Sequence, residues 1–301
     1  MSVGTSGEKR EGASRFGISV AVKSFFVHNT TAATGVVIII AFASIGVLAP
    51  VIAPFRPLER HYNADAELRQ LERPSSSHWL GTTLHGRDVF SQLVVGTRMA
   101  LLVGLLTAFF VALIGVNVGL VAGYYGGGVD NVLMRLTDIV ASVPILPFAI
   151  VGLSILSRSV WWTIIVMSIL YWTTTARVVR AQVLTLRERP FVDAARISGT
   201  RDIRLLYKHI APNVLPQALV HGAFSVSWAI TTEASLAFLG FGDPFAMSWG
   251  SMIYDVFTSM VIHRAWWWFL PPGICIMLLV MSFYFLGRAF EERADPRLRT
   301  V

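Results

Sequence analysis

The chain has 301 residues, of which 54% are hydrophobic and only 14% are charged, and its mean hydropathy is +0.61. Because soluble domains carry about 25% charged residues, this composition excludes an ordinary soluble protein and favours a polytopic membrane protein. The formal net charge is +7, but cytoplasmic loops of membrane proteins are rich in Lys and Arg, so the charge does not indicate nucleic-acid binding. A single cysteine, Cys275, excludes an internal disulfide framework.

The N-terminal third begins with a polar, basic stretch. Residues 1–31 are too hydrophilic for a signal peptide and predict a cytoplasmic tail, in which Phe16–Val27 is interpreted as a short amphipathic segment at the membrane interface. Ala32–Ala53 is long and apolar enough to span a bilayer. The mixed charges of residues 55–97 then predict an external segment in contact with water.

Five further apolar runs predict an all-α membrane protein with six transmembrane helices. These runs are Met99–Gly123, Leu133–Leu156, Val160–Ala181, Asn213–Leu239 and Trp267–Leu286. Six spans place both termini on one side, and that side holds 17 of the 25 Lys and Arg residues, so both termini are predicted to be cytoplasmic. The transmembrane domain then covers residues 32–286, and residues 287–301 form a cytoplasmic C-terminal tail.

Small residues recur along the second predicted span at spacings of three or four. Gly115, Gly119 and Gly123 therefore fall on one face of the helix, where another helix can approach closely. Contact with a ligand is the alternative, and helix packing is the favoured interpretation.

The longest polar interruption in the second half, residues 190–212, is predicted to form two short helices joined by a corner. Pro190 suits a first helical turn, and Gly199 suits the left-handed conformation that ends a helix. Thr200 is a candidate N-cap for the second helix, which Pro212 is expected to stop. Charge counting places this stretch in the cytoplasm, between the fourth and fifth spans.

Ionisable side chains inside the spans are candidates for a translocation path. Glu233 is the only carboxylate deep in the fifth span, where it either lines a path and contacts a ligand cation or holds two helices together by a hydrogen bond. His221, three turns earlier, is a second path candidate, with a packing role as its alternative. Arg135 and Asp138 are expected to pair with each other.

The sequence contains no motif for catalysis, for a metal or for a nucleotide. There is no Walker A sequence, so the chain is not expected to bind ATP, and no His and Cys residues have metal-ligand spacing. Neither G-x-S-x-G nor H-E-x-x-H occurs, so catalytic residues are not expected either. A secondary transporter that works alone would predict inverted repeats, and no convincing internal repeat is present.

Several motifs resemble those of ABC-importer permease subunits. Asp193-Ala194-Ala195, three residues, Gly199, nine residues and His209-Ile210-Ala211-Pro212 resemble the EAA loop of that family, although Glu is usual at position 193 and Leu at 211. Other stretches resemble the C-type subunits of dipeptide and oligopeptide importers, and they are His78–Arg98, Gly123–Pro144, Glu233–Gly242, Ser248–Gly250 and Asp295–Arg299.

The resemblance implies a type I ABC importer permease fold in a prokaryotic inner membrane. It implies binding-protein-dependent uptake of short peptides, with glutathione, a nickel chelate or an oligosaccharide as alternative solutes. The implied partners are a second permease subunit, two ATPase subunits that bind ATP and Mg, an extracytoplasmic substrate-binding protein and membrane lipid. The residues implied to couple to the ATPase are Asp193, Ala194, Ala195, Arg196, Gly199, His209 and Pro212.

Overall fold

The structure, a computed structural model, describes residues 30–294, and every regular element within this range is helical. The predicted interfacial segment Phe16–Val27 lies outside it. In chain order the helices are α1 (Thr30–Ile52), α2 (Val89–Tyr125), α3 (Gly127–Ala141), α4 (Ile145–Leu156), α5 (Val160–Leu186), α6 (Pro190–Ile197), α7 (Asp202–Arg204), α8 (Ala211–Leu236), α9 (Trp249–Thr258) and α10 (Trp266–Ala294). Two π-helical segments, Leu205–Ile210 and Ala237–Phe241, adjoin α8 at its two ends.

Four of the described helices, α1, α2, α5 and α10, are long and apolar enough to cross a membrane. The pair α3 and α4 adds a fifth candidate if it is one bent span. The 26-residue helix α8 does not meet the same standard of apolar composition, because polar residues such as Asn213, Gln217 and Glu233 interrupt it. Composition therefore supports four or five spans, and the six-span prediction needs α8 in addition.

The predicted third span, Leu133–Leu156, is wrong as a single continuous helix. α3 and α4 meet at 83°, and the break covers residues 142–144. Pro144 is the N-cap of α4 and has an extended backbone. A proline lacks the N–H that continues a helix and pushes the preceding residue, Val143, away from helical geometry, so the chain turns there. Pro147 lies in the first turn of α4, where an N–H has no acceptor within the helix.

The helix that contains the predicted second span, Met99–Gly123, is longer than expected, because α2 already begins at Val89, within the predicted external segment 55–97. Asp88 caps this helix: one carboxylate oxygen accepts bonds of 2.7 Å from both the backbone N–H and the hydroxyl of Ser91. The other oxygen lies 2.9 Å from Nδ1 of His78, and both partners of this pair are almost fully buried. The His78–Asp88 pair therefore fixes the external segment onto the start of α2.

The packing of α2 on α5 is so close that only glycine fits at three positions of α2. A methyl group at Gly115, Gly119 or Gly123 would lie 2.6 to 2.9 Å from a backbone carbonyl oxygen of α5. At Gly104, earlier in the same stripe, the near neighbours are side chains of α8. The stripe of small residues thus serves two partner helices, and its last three glycines bring two backbones into contact.

Gly119→Ala is expected to destabilise the protein by about 1–3 kcal/mol, because the added methyl group must push α2 away from a carbonyl of α5. Gly222→Ala on α8 is the matched control, since a methyl group there meets nothing within 4 Å and alanine favours the helix. Thermal unfolding of the purified protein in detergent measures both variants. Equal midpoints for the two variants would contradict this account of the packing.

The predicted external segment also contains a histidine whose charge should affect the stability of the segment. The ring of His61 contacts that of Phe55 edge-on, with centroids 4.3 Å apart, and lies 5.0 Å from the ring of His78. Burial and then the proximity of His78 lower the pKa of His61 below its ordinary value of 6.5. The folded segment therefore favours neutral His61 over the charged form. Above pH 6.5 the histidine is neutral in both the folded and the unfolded segment, and it does not oppose folding. As the pH falls through the lowered pKa, protonation of His61 favours the unfolded segment and the stability falls.

Limited proteolysis of the external segment between about pH 8 and pH 5 measures this effect. Cleavage of the wild-type protein is expected to become faster toward the acidic end, and His61→Gln should weaken that pH dependence. An unchanged pH dependence in the variant would show that His61 is not responsible.

Candidate functional site

The stretch 190–212, which the sequence predicts to be cytoplasmic, forms the predicted first helix and corner. α6 begins with Pro190 at its first position, and Asp193 lies in its first turn. Gly199 adopts φ of +74°, in the left-handed region where a side chain would strain the backbone. The chain therefore reverses direction immediately after α6, which leaves this helix as a separate projection.

The second half of the stretch differs from the prediction. The N-cap of α7 is Arg201 and not Thr200, and Pro212 does not stop a helix. α7 runs through the π-helical segment Leu205–Ile210 directly into α8, with Pro212 in the first turn of α8. The π-helical segment changes the hydrogen-bond pattern just before Pro212, so the missing N–H does not interrupt a regular α-helix. His209 lies on this π-helical segment.

One side of α6 is anchored in the helix bundle through Val192. This side chain is fully buried, and Ala195 packs at the edge of the same cluster. The other buried members of this apolar cluster are Leu120, Tyr124, Val179, Val183, Leu205, Leu206, Ile210 and Val214. We call this set, with Val192, the anchor cluster. Since it draws on α2, α5, α8 and the π-helical segment, α6 is attached to the helices that cross the membrane.

The opposite side of α6 is open. Phe191, Ala194 and Ile197 are exposed, and Ile197 retains 87% of its accessible surface. Asp193 and Arg196 form an ion pair of 3.5 Å on this surface, where such pairs contribute little to stability. A short projecting helix with exposed apolar side chains and a firmly anchored base is suited to contact with another protein.

Two hydrogen bonds join the segment after the corner to α2. The hydroxyl of Tyr124 donates to Oδ1 of Asp202 at 2.5 Å, and the hydroxyl of Tyr207 donates to Oδ1 of Asn117 at 2.6 Å. Together with the anchor cluster, these bonds connect both sides of the corner to the same long helix.

Two arginines of α5 bind carboxylates of α3. Arg180 donates to both oxygens of Asp130, at 2.5 and 2.6 Å. Both side chains of this pair are largely shielded from solvent. Arg177 donates to Asp138 at 2.8 Å. The predicted pairing of Asp138 with Arg135 is therefore wrong, because the closer approach of α5 supplies Asp138 with a partner from another helix.

Glu233 and His221 lie at different levels of α8, about 18 Å apart along its axis. Glu233 is buried beside the side chain of Ser248, in a cavity of about 10 Å³, which has room for about one water molecule. His221 is partly buried near Glu291 of α10, and its Nδ1 has no hydrogen-bond partner. The structure does not bring the two residues together, and the surroundings of Glu233 favour the helix-holding alternative.

A face that carries both polar and apolar side chains is open between α5 and α8, and the sequence analysis did not identify it. It borders two cavities of about 410 and 550 Å³. Their polar lining residues are Tyr171, Thr173, Thr174, Arg177, Gln182, Thr185, Asn213 and Gln217. Thr174, Arg177, Ala181 and Thr185 recur at spacings of three or four on α5, and this periodicity is the sequence signal that could have predicted the face.

The exposed surfaces of α1 and α10 have the opposite character. Their large exposed side chains are mostly apolar, including Val37, Ile40, Val47 and Val51 on α1 and Ile274, Met277, Leu278 and Met281 on α10. Hydrocarbon accepts such a surface, whereas arginine, glutamine and threonine groups inside a span usually face water or protein. α1 and α10 therefore offer surfaces that suit lipid, whereas the polar groups between α5 and α8 suit contact with water or another protein.

Residues 115–299 match the family model described as "Binding-protein-dependent transport system inner membrane component". The chain belongs to this family. It is a multi-pass inner-membrane permease subunit. Among residues 30–294 of the permease, no group of three or more His, Cys, Asp or Glu side chains is arranged to hold a metal ion.

Curated relatives match nearly the whole permease. The dipeptide transport system permease protein DppC of Alkalihalophilus pseudofirmus is 34% identical over 90% of this chain and 88% of its own length. The oligopeptide transport system permease protein OppC of Bacillus subtilis is 36% identical over 91% and 88%. The glutathione transport system permease protein GsiD of Pectobacterium atrosepticum is 32% identical over 92% and 90%.

A solved structure of the MetNI methionine ABC transporter, in inward-facing conformations, has a similar fold. The TM-score is 0.54 with 18% sequence identity, and the match covers 68% of this chain and 96% of that chain. The permease therefore shares an ABC importer permease fold.

Val192→Ala should loosen the attachment of α6 to the permease. Losing two buried methyl groups costs about 1.6 kcal/mol, so amides of residues 190–200 are expected to exchange with deuterium roughly tenfold faster. Ile197→Ala on the exposed side is the control and should leave exchange unchanged. Equal exchange in Val192→Ala and the wild type would mean that the anchor cluster does not hold α6.

Proposed function

We propose that the permease imports short peptides as half of a membrane pathway, and that α6 couples it to an ATPase subunit. The observation that carries the coupling role is that α6 has two different sides. Val192 on one side is buried in the bundle, whereas Phe191 and Ile197 on the other side are apolar and exposed. The substrate class is supported by the names of the relatives that are 34% and 36% identical. Glutathione is the second candidate, since a relative of 32% identity transports it by name.

The proposed assembly contains a second homologous permease, two ATPase subunits and an extracytoplasmic substrate-binding protein. Two features support it: the family description names dependence on a binding protein, and the sequence contains no nucleotide-binding motif. ATP and Mg would bind to the ATPase subunits, and ATP hydrolysis would occur there. Closure of the ATPase dimer would bring the two coupling helices together and open the spans outward, and hydrolysis would return them to the inward-facing state.

We infer that the membrane domain has six spans, with both termini in the cytoplasm. In this topology α3 and α4 together make one bent span, and α8 is the span that composition alone does not identify. The surroundings of α8 support this inference, because its polar residues face other helices or the open α5–α8 cavities. The distribution of Lys and Arg supports the orientation, with residues 55–88 external and 190–210 cytoplasmic.

The predicted coupling residues have separate tasks in this proposal. Ala194 lies on the exposed side of α6, where its small side chain would permit close docking, whereas Ala195 packs α6 onto the bundle. Asp193 and Arg196 would exchange their mutual ion pair for polar contacts with the ATPase. Gly199 would set the corner, and His209 and Pro212 would carry movement into α8.

The coupling role requires that the permease, unlike a secondary transporter, cannot work without an ATPase. Proteoliposomes separate the two, since the proposed importer takes up a radiolabelled tripeptide only when all partner subunits and ATP are present. Peptide uptake by the permease alone would refute the coupling role. Failure of the complete wild-type system to take up any peptide would refute the peptide substrate class.

Ala194→Glu is expected to abolish peptide-driven stimulation of ATP hydrolysis and reduce uptake at least about tenfold, because a long charged side chain would separate α6 from its docking cleft. Ala194→Ser keeps the small size and should retain coupling. ATPase activity and uptake of the complete transporter measure the effect, with membrane insertion checked by immunoblotting. Normal coupling in an inserted Ala194→Glu protein would show that this side of α6 does not dock.

A further inference from the structure

The cavity at the bend between α3 and α4 has the dimensions of a small-molecule site. It occupies about 410 Å³ between α5, α8 and the bend that joins α3 to α4. Binding sites for small molecules commonly have about 300–1,000 Å³ and combine apolar walls with a few polar groups. Val143 and Leu170 supply apolar walls here, and Tyr171, Thr174 and Arg177 supply polar groups.

An accessible ion pair joins this cavity to a second one, because Arg177 lines this cavity and Asp138 lines a cavity of about 750 Å³ on α3. Arg177 and Asp138 are 2.8 Å apart, yet their side chains remain 49% and 67% exposed. The neighbouring pair of Arg180 and Asp130 joins the same two helices but is much less accessible, at 33% and 12%. The Arg180–Asp130 pair is suited to holding α3 on α5, whereas Arg177 and Asp138 can each accept another charged partner.

The wall opposite the break carries an aromatic surface. The rings of Tyr171 and Trp228 stack with centroids 6.1 Å apart and an interplanar angle of 24°. A hydrogen bond of 2.6 Å between the hydroxyls of Tyr171 and Thr232 fixes the tyrosine, and 41% of the Trp228 surface is exposed. Such a surface contacts planar and apolar groups without demanding one particular side chain.

We propose that this cavity is a contact site for the peptide as it passes through the permease, and this inference rests on the proposed function. The guanidinium of Arg177 binds the peptide carboxylate, the carboxylate of Asp138 binds the terminal ammonium or a basic side chain, and the Tyr171–Trp228 stack contacts peptide planes or side chains. A free peptide carries a carboxylate and an ammonium group. Its carboxylate can take the place of Asp138 beside Arg177, and its ammonium group can take the place of Arg177 beside Asp138. Arginine suits this role because its planar donors match a carboxylate.

The surroundings favour a transported solute over lipid as the occupant. An exposed arginine and aspartate inside a membrane bundle face water or protein, not hydrocarbon. The cavity also carries Tyr171, Thr173 and Thr174 beside Arg177, and these polar side chains can bind a hydrated solute. Permanent cover by the second permease subunit is the other occupant to be tested.

Cysteine protection in the complete transporter tests the site directly. Thr174→Cys is introduced into a Cys275→Ser background, and its reaction with a water-soluble maleimide is followed during ATP turnover with and without a transported tripeptide. Peptide is expected to slow the reaction several-fold, whereas Val47→Cys on the lipid side should show no peptide effect. A Thr174→Cys side chain that reacts equally with and without peptide, or never reacts because a second subunit covers it, overturns the proposal.

Substitutions of the charged pair give an independent readout. Arg177→Gln and Asp138→Asn are each expected to lower kcat/KM for peptide uptake about tenfold through loss of a charge-assisted hydrogen bond. Arg98→Gln removes an exposed charge from α2, outside the lining of both cavities that the pair borders, and should keep wild-type uptake. Uptake at the wild-type level in both cavity variants would overturn the proposal. If instead the wild-type transporter imports no peptide, the proposed function itself fails, and the two failures are thereby distinguished.

Discussion

The close approach of α2 and α5 is the interaction on which the rest of the permease depends. Gly115, Gly119 and Gly123 place the backbone of α2 directly against carbonyl groups of α5. Backbone contact of this kind is a main source of helix association in a bilayer, where apolar side chains gain little by leaving lipid. Larger residues at these positions would separate the helices, and every site described above uses one or both of them.

The pairing of α2 with α5 explains how the proposed docking helix and the proposed peptide cavity can be connected. Val192 of α6 is buried in the anchor cluster with side chains of α2 and α5. Further along α5, Arg180 and Arg177 bind α3, and Tyr171 lines the cavity at the bend. A force on α6 therefore acts on a rigid pair of helices that also forms part of the cavity wall. Rigid elements with several attachments are the physical basis for coupling over such distances.

Local chemistry in the sequence predicted much of the fold, and contacts between distant residues account for the rest. Pro190 and the left-handed Gly199 mark α6 correctly, because both constraints act within a few residues. Pro212 does not stop a helix, because the preceding π-helical segment accommodates it. The partner of Asp138 could not be read from spacing on α3, because it comes from α5. The 83° bend at Pro144 was missed because proline is tolerated in many spans, and only neighbouring helices decide whether it kinks or breaks them.

The most direct test of the account is the distance between α6 and the membrane bundle during the transport cycle. Spin labels at Ile197→Cys on α6 and at the exposed position Leu113→Cys on α2, in a Cys275→Ser background of the complete transporter, report this distance by pulsed electron paramagnetic resonance. We predict that the distance stays the same between the nucleotide-free and ATP-bound states, while the distance from Ile197 to a label on the proposed docking helix of the second permease changes. A change of about 5 Å, one helical turn, between the Ile197 and Leu113 labels would contradict the claim that α6 moves as one body with α2 and α5.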